Sequence, residues 1–113
     1  MAKVEIANSL FEEINKKFKQ ESIEVLKHLK SLESSPQKGK ELGTVGGILI
    51  KELKYKNFRF YFITDGFKLK CLNELELIDL LLRFVRMSNK KQQQETINEI
   101  KYILKTIGSR AFE

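Results

Sequence analysis

Histidine, cysteine and proline occur once each in this chain of 113 residues, and tryptophan does not occur. The single histidine, His28, excludes catalysis by a pair of histidines. The single cysteine, Cys71, excludes a disulfide within the chain and a zinc site built from several thiolates, so we expect a small buried thiol there. No metal or cofactor is expected.

Long hydrophobic runs are also missing. No run approaches the roughly 20 apolar residues that cross a bilayer, and the first residues lack the apolar segment of a signal peptide. We therefore expect a cytoplasmic protein without a membrane association. With 42% hydrophobic residues and eight phenylalanines, the chain is too apolar to be disordered, and its length predicts a single domain over residues 1–113.

The net charge of +6 is unevenly distributed along the chain. Lysines and glutamates cancel over residues 1–35, whereas residues 36–72 carry a net charge of +5 and residues 83–113 one of +4. Between them, residues 73–82 carry −3. Such segregation is expected of a surface that binds phosphates, although a basic surface that serves only solubility remains an alternative.

The first third of the chain predicts a short strand followed by helices. Residues 4–6 alternate as a strand does, and Ser9 with Glu12 has the spacing of a capping box at a helix start. Two apolar stripes follow at helical spacing, and one continuous helix over 9–34 would be about 39 Å long, which exceeds the diameter of a domain of this size. We therefore predict two helices, broken at residues 20–22 and folded as a hairpin.

The middle of the chain predicts an antiparallel meander. Residues 34–43 form a loop rich in turn-forming residues, and from Ile48 the hydrophobic period changes to two. Turns are expected at residues 56–57, between strands over 48–55 and 58–64, and at residues 65–66. Phe58, Phe60 and Phe62 should face covering helices, while the opposite face of the sheet is left free to carry Arg59 and Tyr61.

The last third predicts a strand and a helix. Residues 74–87 are ambiguous, because 75–85 would also fit a helix, but their end should be a strand. Ser88 or Asn89 can cap a final helix that ends at Gly108 and buries five aliphatic residues, Ile97, Ile100, Ile103, Leu104 and Ile107. The predicted fold is α+β: an N-terminal helical hairpin packed on one face of a small antiparallel sheet, with a C-terminal helix.

Two stretches of this chain resemble the RelE/ParE toxin superfamily, most closely a phage-derived branch of RelE-like toxins. The first is LKYKNFRFYFITDG, residues 53–66, with Arg59 on a central strand and Tyr61 two residues later. The second is FVRMSNKKQQQETINEI, residues 84–100, in which Arg86 stands at a paired-lysine position, Lys90 at the following lysine and Glu95 at the helix glutamate. The resemblance implies a RelE-like sheet.

The resemblance also implies a function. Toxins of this kind cut mRNA on the ribosome by attack of a ribose 2′-hydroxyl on the adjacent phosphate, without metal. Such chemistry needs proton transfer and fixed positive charge around the phosphorus. We expect a catalytic set of Arg59, Arg86, Lys54, Lys51 and Tyr61.

Four groups of this set, the two arginines and the two lysines, have an expected role. The two arginines would clamp phosphate, and clustering would lower the pKa of Lys51 or Lys54. Four further cations are expected to bind nucleic acid: Lys56, Arg83, Lys90 and Lys91. Since Arg83 and Arg86 are three residues apart, they should face opposite sides of a strand, and only Arg86 should join the groove. Glu95 is the expected ion-pair partner of Arg86 or Lys91.

The same resemblance leaves other functions open. The ParE branch shares the fold but inhibits DNA gyrase without cutting nucleic acid, and a plain nucleic-acid-binding domain is a third possibility. For a toxin, the expected partners are a cognate antitoxin protein and mRNA on the ribosome.

Overall fold

A computed structural model describes residues 2–73 and 75–113, and in this part of the chain it shows an α+β fold with a five-stranded, mostly antiparallel sheet. The strands are β1 (Lys3–Ile6), β2 (Lys40–Val45), β3 (Ile48–Tyr55), β4 (Phe58–Asp65) and β5 (Leu81–Asn89). The helices are α1 (Asn8–Phe18), α2 (Ser22–Lys30), α3 (Gly66–Cys71) and α4 (Gln93–Thr106). The strand order is β1-β5-β4-β3-β2, with β1 parallel to β5 and the other pairs antiparallel.

The N-terminal helical hairpin is confirmed. A 3-10 turn, Lys19–Glu21, separates α1 from α2, and Lys19 has a positive φ of 50° where the chain reverses. The predicted capping box is wrong, because α1 begins at Asn8 and has no side-chain cap. Ala7 instead donates its amide to the carbonyl of Phe84 and accepts from the amide of Phe11, so β1 leads directly into the helix.

The predicted hairpin of β3 and β4 is confirmed, with its turn at residues 56–57. The turn predicted at residues 65–66 is a helix start instead, because the Asp65 carboxylate accepts the amide of Lys68 and caps α3. Cys71, which ends α3, is exposed rather than buried.

The larger hydrophobic cluster, here called the aromatic core, lies between the helical hairpin and one face of the sheet. Phe60, Phe62 and Phe84 are fully buried in it against the apolar stripes of α1 and α2. The predicted alternation of β4 is therefore confirmed, since the aromatic side chains at even positions share this face.

The opposite face of the sheet is covered as well, which the sequence did not predict. Helix α4 packs there and forms a second cluster, here called the C-terminal core. Its buried members are Ile50, Tyr61, Ile63, Val85, Ile97, Ile100, Leu104 and Phe112. Of the five aliphatic residues expected inside, Ile107 is 67% exposed, because α4 ends at Thr106 and Gly108 turns the chain with a φ of 95°. The sheet thus has no open face at Tyr61.

A β-bulge in β5 changes which residues share a face. Tyr61 lies opposite Arg86 but Phe62 lies opposite Phe84, so Val85 is an extra residue in β5. The expectation that Arg83 and Arg86 face opposite sides is therefore wrong, and both lie on the side of α4. The helix considered over 75–85 is also wrong: a 3-10 turn, Glu76–Asp79, precedes the strand, and Glu74 lies outside the described residues.

Among the described residues, no helix combines the length and the apolar composition needed to cross a membrane.

Candidate nucleic-acid interface

A shallow basic groove of about 360 Å³ lies where the β3–β4 turn meets the segment between β5 and α4. The residues that line this basic groove are Lys54, Lys56, Asn57, Arg59, Asn89, Lys90 and Lys91. Five of these seven residues are cations and none is an acid, so the groove is a candidate site for a polyanion. It contains five of the nine predicted site residues.

Strand register brings these cations together from three parts of the chain. Lys54 of β3 is paired with Arg59 of β4, and Phe58 beside it is paired with Asn89 at the end of β5. Lys90 and Lys91 follow Asn89 immediately, before α4 begins. The Asn89 carboxamide oxygen accepts the amide of Gln92, which closes a turn around Lys90 and Lys91 before α4. The groove is thus built at the end of the sheet, not on a face.

Arg59 is the most confined cation of the basic groove, with a side chain only 11% exposed. Its Nε atom is buried and has no hydrogen-bond partner in the described part of the chain. The nearest carboxylate oxygen, Glu52 Oε1, lies 3.6 Å away, which is an ion pair but too long for a hydrogen bond. A buried Nε–H donor of a guanidinium without an acceptor is costly, and such a group in a native protein calls for a ligand or a functional reason.

Glu52 and Gln93 complete the surroundings of Arg59, and sequence reasoning did not identify either of them. The Glu52 carboxylate is buried, and its Oε1 accepts a hydrogen bond of 2.8 Å from Gln93 Nε2 of α4. The spacing of Glu52 to Lys54 places both on one face of β3, so an acid near Arg59 was readable from the hairpin register. No signal in the sequence pointed to Gln93.

Lys56 is fixed at the rim of the basic groove. Its Nζ atom lies 2.6 Å from Glu21 Oε2, which also accepts the hydroxyl of Tyr55. The hydrogen bond from Lys56 lowers the pKa of the Glu21 carboxyl, and its counterpart raises the pKa of Lys56. Lys56 therefore remains cationic, but Glu21 partly neutralises its charge.

Lys51 does not belong to the basic groove, contrary to prediction. It is on the other face of β3 from Lys54, it is 2% exposed, and its Nζ donates to the backbone carbonyl of Gln37 at 2.9 Å. Burial lowers the pKa of Lys51, and the nearby charge of Glu41 opposes this in part. The pKa of Lys51 is thus lowered as expected, but the cause is desolvation rather than a cluster of cations.

Tyr61 is also outside the basic groove. It is fully buried in the C-terminal core, and its hydroxyl is 2.7 Å from Ser88 Oγ. Burial raises the pKa of the Tyr61 hydroxyl. The expectation that Tyr61 lines an open groove beside Arg59 is wrong, because α4 covers this position.

Arg86 and Arg83 lie together in a different pocket, of about 330 Å³, beside the start of α1 and the C-terminal residues. Arg86 Nε is 2.8 Å from the carboxylate of Glu99, and its guanidinium lies over the ring of Phe112 at 5.3 Å. Arg83 is 2.6 Å from Glu5 of β1. The predicted clamp of Arg59 with Arg86 is therefore not formed, and the partner of Arg86 is Glu99 rather than Glu95.

His28 has a packing role. It lies on α2, its Nε2 is 2.8 Å from the backbone carbonyl oxygen of Lys54, and its ring is near that of Tyr55. This contact supports the strand that carries Lys54, but His28 is not among the residues that line the basic groove.

The basic groove can hold a phosphate and stabilise negative charge on it, with one arginine and four lysines as donors. It offers neither an imidazole nor a carboxylate for proton transfer. In residues 2–73 and 75–113, no group of three histidine, cysteine or acidic side chains is placed to bind a metal ion. No protein-family model, curated protein or solved structure was found to match this chain.

Proposed function

We propose that this protein is a RelE-type toxin that binds mRNA on the ribosome through the basic groove and cuts it without metal. The observation that carries the proposal is Arg59: a confined guanidinium with an unsatisfied buried Nε, surrounded by Lys54, Lys56, Lys90 and Lys91. The resemblance of residues 53–66 and 84–100 to RelE-like toxins supports the choice of RNA as the polyanion.

Arg59 and Lys54 are the two groups with catalytic roles in this proposal. The 2′-oxygen of a ribose bonds to the adjacent phosphorus while the bond from phosphorus to the 5′-oxygen breaks, leaving a 2′,3′-cyclic phosphate and a 5′-hydroxyl. Arg59 stabilises the charge that develops on the phosphoryl oxygens, and the Lys54 ammonium protonates the leaving oxygen. The 2′-hydroxyl proton passes to a base of the ribosome–mRNA complex, since the groove offers no such base.

Induced expression in bacteria tests this proposal. We expect protein synthesis to stop and mRNAs to be cut within translated reading frames, and we expect Arg59→Gln and Lys54→Gln to abolish the cuts. Arg110→Gln is the matched control, because Arg110 is exposed near the C-terminus and outside the groove. Intact mRNA with continued translation would overturn the proposal, provided that the protein accumulates in folded form.

A second function, binding of RNA without cleavage, is favoured by the positions of Tyr61 and Arg86, which the fold removes from the groove. It predicts groove-dependent binding of RNA in vitro and no cut mRNA in cells. A ParE-like gyrase inhibitor would instead cause DNA damage upon induction. The same experiment therefore separates the three functions.

A toxin of this kind works on cytoplasmic ribosomes and needs an inhibitor in the same cell. We expect a small antitoxin protein that carries acidic residues to the basic groove and blocks RNA from it. Co-expression with the neighbouring reading frame tests this expectation: the partner should copurify, and it should relieve the growth arrest.

A further inference from the structure

Two donors lie near Glu52 Oε1, and only one of them is within hydrogen-bond distance. Gln93 Nε2 holds the oxygen with a hydrogen bond of 2.8 Å, and Arg59 Nε remains at 3.6 Å. Arg59 thereby keeps a counterion but gains no hydrogen bond from it. A neutral side chain of α4 thus holds this carboxylate oxygen beyond hydrogen-bond distance of Arg59 Nε.

We propose that Gln93 is a positioning residue for Arg59: its hydrogen bond holds Glu52 Oε1 3.6 Å from Arg59 Nε, so that the guanidinium does not close on the carboxylate and stays available to phosphate. Glu52 is the counterion that makes a nearly buried arginine tolerable at this position. The proposal rests on the proposed function, since it assigns Arg59 to an RNA phosphate. It gives the start of α4 a direct influence on ligand affinity.

Replacement of Gln93 has a clear consequence in this arrangement. In Gln93→Leu the carboxylate loses its anchor, so Glu52 Oε1 and Arg59 Nε, now 3.6 Å apart, should close to hydrogen-bond distance. The guanidinium is then drawn inward and its charge is more fully neutralised. Affinity for RNA should fall about tenfold, the effect of weakening one charge-assisted hydrogen bond, although Gln93 carries no charge.

Replacement of Glu52 should act in the opposite direction on binding. Glu52→Gln keeps the shape of the side chain but removes the negative charge beside Arg59, so affinity for RNA should rise about threefold. The same variant should unfold at a lower temperature, because a buried guanidinium loses its counterion. A merely structural role for Glu52 would lower both stability and affinity.

The experiment measures binding of a fluorescent 12-nucleotide ribo-oligonucleotide to wild type and to Gln93→Leu, Glu52→Gln and Arg59→Gln. Gln94→Leu is the matched control, because Gln94 is the next residue of α4 and bonds to Asn98 instead. The double variant Gln93→Leu with Arg59→Gln should bind like Arg59→Gln alone. In ¹⁵N-labelled protein, the Nε–H signal of Arg59 should move downfield in Gln93→Leu as the hydrogen bond forms.

Two kinds of failure are distinguishable in this experiment. If Arg59→Gln binds RNA as wild type does, the proposed role of the basic groove fails. If Arg59→Gln weakens binding but Gln93→Leu behaves like Gln94→Leu, the positioning role of Gln93 is wrong. A loss in Gln93→Leu that persists in the Arg59→Gln background also overturns it.

Discussion

Lys54 and Arg59 face each other directly across the β3–β4 hairpin, next to the turn that joins the two strands. Like charges at directly opposed positions destabilise an antiparallel pair, so this hairpin carries a charge arrangement that folding alone disfavours. Glu52, on the same face of β3 as Lys54, reduces this repulsion, but at 3.6 Å from Arg59 it does so incompletely. The arrangement is what a phosphate site needs and what a purely structural hairpin avoids.

The repulsion predicts a trade-off between stability and binding. Lys54→Gln should raise the free energy of unfolding by about 0.5 kcal/mol, because it relieves an opposed pair of cations, and it should weaken RNA binding. Urea denaturation and oligonucleotide titration of the same samples measure the two effects. Lys105→Gln, an exposed lysine near the end of α4, should change neither. A Lys54→Gln protein that is less stable would show that the two charges do not oppose each other.

The lysines between β5 and α4 predict the salt dependence of RNA binding. Each phosphate contact that is lost should reduce the slope of log K against log salt concentration by about 0.7 for a single strand. We therefore expect a smaller slope in Lys90→Met and Lys91→Met and an unchanged slope in Lys105→Met. Affinity should fall for all RNA sequences alike, because these contacts reach the backbone. Equal salt-dependence slopes in the wild type and both variants would show that these lysines do not contact RNA phosphates.

The position of Tyr61 predicts a structural rather than a catalytic effect. Tyr61→Phe removes a buried hydroxyl that is hydrogen-bonded to Ser88, and should lower the free energy of unfolding by about 1 kcal/mol. Affinity for RNA and mRNA cleavage in cells should remain, since the hydroxyl is covered by α4. Loss of cleavage by a stable Tyr61→Phe protein would instead restore the catalytic role that the sequence predicted.

Lys51 predicts a pH dependence of stability. Because burial lowers its pKa below the unfolded value of 10.5, the folded state releases this proton first, and stability should rise with pH between the lowered pKa and 10.5. Below this window the buried ammonium is a cost, so Lys51→Met should be about 1 kcal/mol more stable at pH 7.

Urea unfolding at several pH values compares Lys51→Met with wild type and with Lys27→Met, an exposed lysine of α2. The rise in stability over the alkaline window should be absent from Lys51→Met alone. If Lys51→Met is less stable than wild type at pH 7, the hydrogen bond to Gln37 outweighs the burial of the charge.

The elements and one core were predictable from sequence because single residues determine them locally. Alternate phenylalanines set the face of β4, and the break expected at residues 20–22 overlaps the 3-10 turn at Lys19–Glu21. The second core was missed because its members lie on elements far apart in sequence, although the apolar stripe of α4 required a surface and only one face remained. The bulge at Val85 has no comparable signal, since apolar and polar residues do not alternate strictly in β5.

The same difference between local and long-range determinants applies to the predicted site residues. Lys54 and Arg59 were predictable as neighbours, because hairpin register depends only on the turn between them. Lys51 and Tyr61 were assigned to the site by residue type and family resemblance. Because both faces of the sheet are covered, their side chains are buried and lie outside the basic groove. The partner of Arg86 depends on the rotation of α4 against the sheet, and short-range patterns do not determine that rotation.

The two hydrophobic cores differ in size: the aromatic core has more buried residues than the C-terminal core. The aromatic core joins both N-terminal helices to the sheet, whereas the C-terminal core is a smaller cluster under a single helix. Local opening of a protein begins where the fewest apolar contacts resist it, so α4 is the natural first segment to detach while the rest stays intact. Gln93 is the first residue of α4. Transient fraying of this helix would therefore change the affinity of the basic groove for RNA without unfolding the domain.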